Sequence, residues 1–410
     1  MKHLACAALT LALLSSAQAV TLTHWEHQYA PRAAVLKDMI AAYQKSSGDS
    51  VTFEAIPYDS YFDKLTTALS SNNGPDIFKV PSTMSYQFIK AGLAAPAPTN
   101  LYTAAQAKKD YLTWAVNPAV QNNQLYGLPT DVQTVVMYIN NDLVKACGGN
   151  AAQPPRTWAA FTKLAQACTK RDASGKMTQA GVDTRYKWAL FTTFLYQGTG
   201  GKVVSPAAKK ALWDSAGGMK SWNLMQTLFS GSQAVDLPTF MTGQFKFELG
   251  KAAFYFNHPT TRSRLSDMSP DLKYTIALPP SPDGKPSTIA SSWVYMVNAR
   301  SKNVDAAWKW IMYISSEASQ RQWVKDGGDL PGLKKLVNDP ALFPDANAKV
   351  VQQSLKYVYT PQEVGGDPVD AIRQEIWDKL VLTSDAKIDL AALVKQQSGA
   401  ETQLIQSILK

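Results

Sequence analysis

The stretch HWEHQY, residues 24–29, holds two of the chain's four histidines with a glutamate between them. Imidazole and carboxylate groups together are typical of metal sites and of acid–base catalysis. His24 and His27 are three positions apart, and on an extended segment that spacing directs them to opposite faces. His258 has no second ligand at metal spacing beside it. The pattern therefore predicts no metal site and leaves two interpretations open: ordinary polar solvation of a strand end, or ligand contact by Glu26–Tyr29.

The first 19 residues, MKHLACAALTLALLSSAQA, are typical of a secretory signal. A basic start at Lys2 precedes an apolar run over Leu4–Leu14 and a small-x-small end at Ala17–Ala19, which predicts cleavage after Ala19. Cys6 lies ahead of most of the apolar run, where a lipid-anchored cysteine would not stand. No later segment reaches the ~20 apolar residues that a membrane-spanning helix needs. We therefore expect a soluble periplasmic or otherwise extracytoplasmic protein.

Length and charge narrow the class of protein further. Without its predicted leader the chain keeps 410 − 19 = 391 residues, which is too long for one core and indicates two domains. The formal charge of the whole chain is +9, but the basic residues are scattered along it. Scattered basicity favours general solubility over a nucleic-acid partner, and export removes the usual nucleic-acid targets.

Two cysteines follow the leader, Cys147 and Cys168. An isolated pair in an oxidising compartment predicts a disulfide, and two buried thiols are the alternative. A reactive-cysteine enzyme is disfavoured because no histidine stands near either thiol to activate it.

The elements that must position these residues alternate between strand and helix. VTLTHW (20–25) has the period of a strand, and the next segment carries Val35, Met39, Ile40 and Tyr43 at helical spacing before Gly48 ends it. SVTFEAIP and GPDIFKV predict further strands, each followed by an amphipathic helix. Such alternation predicts an α/β fold with a largely parallel sheet, which binds ligands beyond the carboxyl ends of its strands.

Several blocks, in this order, resemble the extracellular solute-binding proteins of carbohydrate ABC importers, the maltose-binding-protein-like family. They are TLTHW, GPDIF, AGLAAP, YGLPTDVQTVVMYINNDLVKACG, PPRTWAAFTKLAQAC, FELGKAAFYFNHP, SKNVDAAWKWIMYISS and GGDLP. The resemblance implies the two-lobed type II periplasmic-binding-protein fold, with discontinuous lobes. We expect an N-terminal lobe of 20–129 and 289–335, a C-terminal lobe of 130–288 and 336–410, and hinges near 129–133 and 286–291.

The resemblance also implies which residues line a sugar cleft, where aromatic faces and paired polar groups are needed. In the turn after GPDIFKV, the residues Val80, Thr83 and Met84 replace a bulky aromatic and a charge pair of maltose-binding relatives, so maltose itself is not implied. The implied ligand-binding residues are Glu26, His27, Tyr29, Tyr58, Asp59, Ser82, Thr83, Asp131, Gln133, Phe191, Phe194, Tyr196, Asn257, His258, Arg262, Ser292, Trp293 and Arg373.

The function implied is that of a monomeric, non-catalytic receptor that captures a carbohydrate and delivers it to membrane permease subunits. No cofactor, metal or catalytic residue is expected. One alternative keeps the fold but binds glycerol 3-phosphate or a phosphodiester, clamped by His258, Arg262 and Arg373. A second alternative, an exported glycoside hydrolase, would need Glu26 and Asp131 to face each other across the substrate.

Overall fold

The structure is a computed structural model that describes residues 19–360, 367–382 and 388–409. The predicted leader therefore lies outside the described residues except for Ala19. No helix within the described ranges is long and apolar enough to cross a membrane.

Two separate β-sheets divide the molecule into two lobes, as the type II fold requires. The N-terminal sheet has the order β16-β15-β3-β1-β2, and β4 and β7 also pair with β15. Numbered along the chain, its strands are β1 (Thr21–His27), β2 (Ser50–Ile56), β3 (Ile77–Pro81), β4 (Ala94–Ala95), β7 (Gly127–Thr134), β15 (Thr288–Asn298) and β16 (Val358–Tyr359).

The C-terminal sheet has the order β14-β8-β13-β10-β9. Its strands are β8 (Val136–Asn140), β9 (Lys170–Arg171), β10 (Met177–Asp183), β13 (Ala252–Asn257) and β14 (Tyr274–Ala277). Two small hairpins complete the strands: β5 (Val120–Gln121) with β6 (Gln124–Leu125), and β11 (Val204–Ser205) with β12 (Lys210–Ala211).

Helices cover both sheets. Around the N-terminal sheet they are α1 (Ala30–Ser47), α2 (Tyr58–Ser70), α3 (Ser85–Lys90), α4 (Ala104–Asp110), α5 (Thr113–Val116), α11 (Val304–Ile314) and α12 (Glu317–Gly327). The remaining helices are α6 (Asn141–Ala146), α7 (Trp158–Ala167), α8 (Lys187–Thr199), α9 (Ala216–Phe229), α10 (Thr261–Met268), α13 (Ala346–Ser354), α14 (Asp367–Leu382) and α15 (Leu390–Ile408).

Local sequence explains the first helix and strand. Helix α1 starts with Pro31 in its first turn, buries Val35, Met39 and Tyr43, and ends at Gly48, whose φ of 82° is the left-handed conformation that glycine adopts at no steric cost. Strand β1 is longer than the sequence predicts and runs to His27, because its parallel register with β2 continues as far as Ile56. HWEH therefore belongs to the strand itself.

The chain passes between the lobes where β7 ends and β8 begins. Strand β7 pairs antiparallel with β15 up to Thr134, and Val136 already belongs to the other sheet. The single residue between them is held from both sides: Val135 N–H donates to the Ile289 carbonyl at 3.2 Å, and Thr288 Oγ1 donates to the Val135 carbonyl at 2.6 Å. The segment 129–133 thus lies within the N-terminal sheet. The lobe boundaries stay a prediction of the sequence.

Cys147 and Cys168 form a disulfide, as the sequence predicts. Cys147 directly follows α6 and Cys168 directly follows α7. The bond therefore joins the ends of two helices that cover the C-terminal sheet.

Candidate functional site

Strands β1, β3 and β7 each carry a charged side chain, near the end of β1 and within β3 and β7. These side chains are Glu26, Lys79 and Asp131, and each is at most 2% exposed. Strand β1 is parallel to β3, and both β3 and β7 run antiparallel to β15, so the three strands point the same way. Their ends therefore meet at the edge where such sheets bind ligands.

These charges form one buried network with two residues from helix α1 and the segment after α12. Lys79 Nζ lies 3.4 Å from Asp131 Oδ1 and 3.9 Å from Glu26 Oε2. The Arg32 guanidinium lies 3.4 Å from Asp131 Oδ1 and also pairs with Asp329. Five ionisable groups are thus packed without solvent, which is stable only while each charge keeps its partners.

Neutral groups complete the network. Gln133 Nε2 donates to Asp329 Oδ1 at 2.7 Å, and the Tyr295 hydroxyl donates to Glu26 Oε2 at 2.6 Å. Burial raises the pKa of Glu26, but Lys79 and Arg32 outweigh it and leave that pKa below its ordinary value. For Asp329, burial prevails over Arg32 and raises the pKa to about 7. The network therefore holds one carboxyl that exchanges its proton near neutral pH.

An aromatic wall stands on the N-terminal side of the cleft, beside this network. The His27 ring stacks on Trp293 with centroids 4.3 Å apart and an interplanar angle of 28°. Phe62 lies parallel to Trp293 at 6.4 Å, and Lys79 Nζ is 5.1 Å from the Trp293 ring centroid. Tyr58 meets His27 edge-on at 5.6 Å and is 48% exposed. The wall thus offers partly exposed ring faces at the mouth of the cleft.

A second aromatic wall stands on the C-terminal side. Tyr186, Trp188 and His258 lie in mutual ring contact, with centroids 5.5–5.9 Å apart. His258 Nδ1 is 3.0 Å from the Thr134 carbonyl and Nε2 is 3.1 Å from the Tyr186 hydroxyl. A carbonyl can only accept, so Nδ1 carries the hydrogen, and burial lowers the pKa of His258 and favours this neutral form.

The two walls face each other across the cleft. Burial is the main cause that raises the pKa of Tyr186. The Tyr58 hydroxyl of the opposite lobe raises it further, so the two rings lie close enough to interact. The Tyr29 hydroxyl donates across the lobes to the Thr260 carbonyl at 3.3 Å. A Cβ at Gly328 would lie 3.2 Å from Thr260 Cα, so the backbones also approach closely at this edge.

Buried polar atoms of the site without a hydrogen-bond partner among the described residues are His27 Nδ1, Gln133 Oε1 and Arg32 Nε. Burial lowers the pKa of His27 to about 3, with Lys79 acting in the same direction, so the ring is neutral at pH 7. Leaving such atoms unpaired costs about 1–3 kcal/mol each. For His27 Nδ1 and Gln133 Oε1, the described residues thus supply no hydrogen-bond partner.

Four residues that the sequence places at the ligand lie elsewhere. Phe191, Phe194 and Tyr196 face the core of the C-terminal lobe and are at most 1% exposed, because α8 is covered on several sides. Arg373 is fully buried and bridges α14 to α15, donating from Nε and Nη2 to the Glu401 carboxylate at 2.9 and 2.6 Å. Its pairing removes it, like the three rings, from the proposed site.

The other predicted residues take supporting positions. Ser292 is buried and its hydroxyl donates to the Ala115 carbonyl at 3.1 Å. Asn257 Nδ2 donates to the Tyr255 hydroxyl at 2.7 Å, and Arg262 forms a 2.8 Å ion pair with Asp345. Residues Ser82 and Thr83 form a turn directly after β3, and Asp59 is exposed in the first turn of α2.

Sequence reasoning missed five residues of the site. Lys79 could have been predicted, because a lysine inside the apolar strand IFKVP needs a buried partner for its charge. Arg32, Asp329, Tyr186 and Trp188 carried none, because each is brought in from a helix or loop distant in sequence. His24 shares the face of β1 that carries Glu26, opposite to His27, and its Nδ1 accepts from Trp310 Nε1 at 3.1 Å. No group of three metal-ligating side chains occurs among the described residues.

Comparison with known proteins agrees with this fold. The chain is 26% identical over 341 residues to a binding protein of Brucella abortus, covering 79% of each chain. It is 23% identical over 380 residues to the galactooligosaccharide-binding protein of Bacillus subtilis, covering 86% of this chain and 85% of that one. An ABC substrate-binding protein of Listeria monocytogenes, solved with cycloalternan, superposes with a TM-score of 0.81 at 17% identity, covering 95% and 99% of the two chains. The family model for bacterial extracellular solute-binding proteins matches residues 28–321, so the chain belongs to this family.

Proposed function

We propose that this protein captures an oligosaccharide between its two lobes and presents it to the permease of an ABC importer, as a monomer and without chemical change. The observation that carries the proposal is the pair of facing aromatic walls with unpaired polar atoms at their base. Pyranose rings pack their apolar faces on aromatic rings, and their hydroxyls both donate and accept. Among the relatives, one is named for galacto-oligosaccharides and another was solved with cycloalternan.

Each polar atom has a matching role toward a hydroxyl. Gln133 Oε1 can only accept, so it would take a hydroxyl hydrogen. His27 Nδ1 can donate or accept according to its tautomer. Glu26, Asp131 and Lys79 lie behind these groups and would hold them in position by mutual pairing.

The residues that would have to bind a phosphate are engaged in other contacts. Arg373 is paired with Glu401 inside the C-terminal lobe, and Arg262 is paired with Asp345 at the surface. His258 is committed to Thr134 and Tyr186 and is held neutral. These pairings support a neutral ligand over a phosphate or phosphodiester.

The hydrolase alternative lacks opposed carboxylates. Glu26 and Asp131 belong to the same sheet and share Lys79, at 3.9 and 3.4 Å. Glycoside hydrolysis needs two carboxyl groups that flank the scissile bond. Their arrangement supports binding without catalysis, and the absence of reducing-sugar release from an oligosaccharide is the corresponding measurement.

The test is calorimetric titration with a panel of galacto-oligosaccharides, malto-oligosaccharides and cyclic glucans, together with melting temperature at increasing sugar. We expect one class to bind, and Trp293→Ala to weaken that binding by about tenfold through loss of the stacking face. Trp213→Phe, in the core of the C-terminal lobe, is the matched control and should retain affinity. If no sugar binds or raises the melting temperature, the carbohydrate assignment fails.

A further inference from the structure

A second concavity lies in the N-terminal lobe, away from the cleft between the lobes. Its volume is about 400 Å³, and it opens between α4, the junction of α11 with α12, and residues 333–335. Small-molecule sites in proteins typically have volumes of a few hundred Å³. The cavity is lined by apolar side chains that include Tyr111 and Leu128, both at most 4% exposed. Its lining shares no residue with either aromatic wall.

The lysines at its rim are unequally paired. Lys335 forms a 2.5 Å ion pair with Glu317, so its charge is balanced. Lys334 Nζ donates to the neutral carbonyl of Lys108 at 2.7 Å, and the ammonium group of Lys109 has no partner in the part of the chain that the structure describes. Neither of these two ammonium groups has a carboxylate within ion-pair distance among the described residues, although Asp110 also lines the cavity, where it accepts from the Tyr102 hydroxyl at 2.6 Å.

A polar atom at the cavity wall is also unsatisfied. Ser315 lines the cavity and is fully buried, and its Oγ has no hydrogen-bond partner among the described residues. The carbonyl of the same residue already accepts from the Tyr111 hydroxyl at 2.9 Å and from Gln320 Nε2 at 3.2 Å. This buried hydroxyl is therefore unsatisfied beside the cavity, at a cost of about 1–3 kcal/mol while it stays unpaired.

We propose that this cavity is a second ligand site, for a small organic anion with a flat apolar body. The anionic group would lie between the ammonium groups of Lys109 and Lys334, where charge-assisted hydrogen bonds are strong. The apolar body would cover Tyr102 and Met312, the half-buried apolar residues of the lining, and a polar atom of the ligand would pair with Ser315 Oγ. A neutral sugar does not meet these requirements, so the second site takes a class of ligand different from that of the cleft.

The probe for this site is 8-anilinonaphthalene-1-sulfonate, an aromatic anion whose fluorescence rises when it enters an apolar site. We expect binding to one site, weakened by about tenfold or more in the Lys109→Ala/Lys334→Ala double variant, because bonds to two charged donors are lost. Added salt should weaken binding to the unaltered protein more than binding to this variant. Met312→Trp, which fills the cavity with a larger side chain, should also reduce binding.

The matched control is Lys163→Ala/Lys395→Ala, which removes two exposed lysines on α7 and α15. It changes the net charge equally and should leave the probe's affinity unchanged. Equal weakening by both double variants would show general electrostatic attraction and overturn the proposal. Unaltered binding in Lys109→Ala/Lys334→Ala, or in Met312→Trp, would place the probe elsewhere and overturn it as well.

Discussion

Replacing Asp329 with asparagine should change how the stability of the protein depends on pH. Burial raises the pKa of this carboxyl from its ordinary value of 3.8 to about 7, although Arg32 opposes the rise. The folded protein therefore keeps a proton that the unfolded chain has lost, and its free energy of unfolding falls as the pH rises from about 4 to about 7. A difference of about three between the two pKa values corresponds to about 4 kcal/mol.

The assay is urea unfolding, followed by tryptophan fluorescence, at pH values from 4 to 8. Because asparagine does not titrate, the stability of the natural protein minus that of the Asp329→Asn variant should fall by about 4 kcal/mol across the window and level off above pH 7. Asp172→Asn, outside the buried network, is the matched control. A hydrogen bond from Ser174 holds the pKa of Asp172 below its ordinary value, so this carboxyl is ionised in both states above pH 5.

The free energy of unfolding of the natural protein minus that of the control variant should therefore stay constant between pH 5 and pH 8, whatever its size. A difference for Asp329→Asn that is equally flat would refute the reasoning, since it would mean that Asp329 is ionised in the folded protein throughout. A difference that rises with pH would show that pairing with Arg32 outweighs burial. Either result would reverse the assignment of the buried proton.

Three further predictions concern the two lobes. Tyr29→Phe removes the hydroxyl that donates to the Thr260 carbonyl across the cleft, and it should lower ligand affinity about fivefold by calorimetry. The free energy of unfolding should stay the same. Unchanged affinity would contradict a role of this hydrogen bond in closure. Cys147→Ser should lower the free energy of unfolding by about 3 kcal/mol, and a reductant should do the same to the natural protein but nothing more to the variant. Arg373→Met should destabilise the fold by about 3–5 kcal/mol by leaving Glu401 buried without its partner, with ligand affinity retained; a folded variant that fails to bind would return Arg373 to the site.

The sequence predicts the fold because its local patterns agree with one another. Helix α1 shows apolar spacing, a proline in its first turn and a terminal glycine, and the structure contains each of these. The end of β1 was harder to predict, since HWEH continues the strand only because β2 pairs alongside it. Hydrogen bonding between distant segments thus decides the boundary that local pattern leaves open.

In the site, too, some residues could be predicted from local sequence and others depend on contacts between distant segments. Glu26 and His27 follow from a strand end, where topology gathers side chains of neighbouring strands, whereas Asp131 follows from the family resemblance. Phe191 and Phe194 were predicted as stacking residues, yet an aromatic at helical spacing serves equally well in a core, and periodicity cannot tell the two faces of a fully buried helix apart. Arg32 and Asp329 meet across 297 positions, and only the folded arrangement reveals that they do.

The paired crossing of β7 and β15 has a mechanical consequence for this molecule. Two connectors that run side by side and hydrogen-bond to each other cannot slide independently, so one lobe is hindered from shearing or twisting against the other. We expect bending across the ladder near Val135 and Thr288, where the two connectors pass between the sheets. We therefore expect the lobes to rotate about a single hinge axis. Each closure would then bring the Tyr29 hydroxyl back to the Thr260 carbonyl.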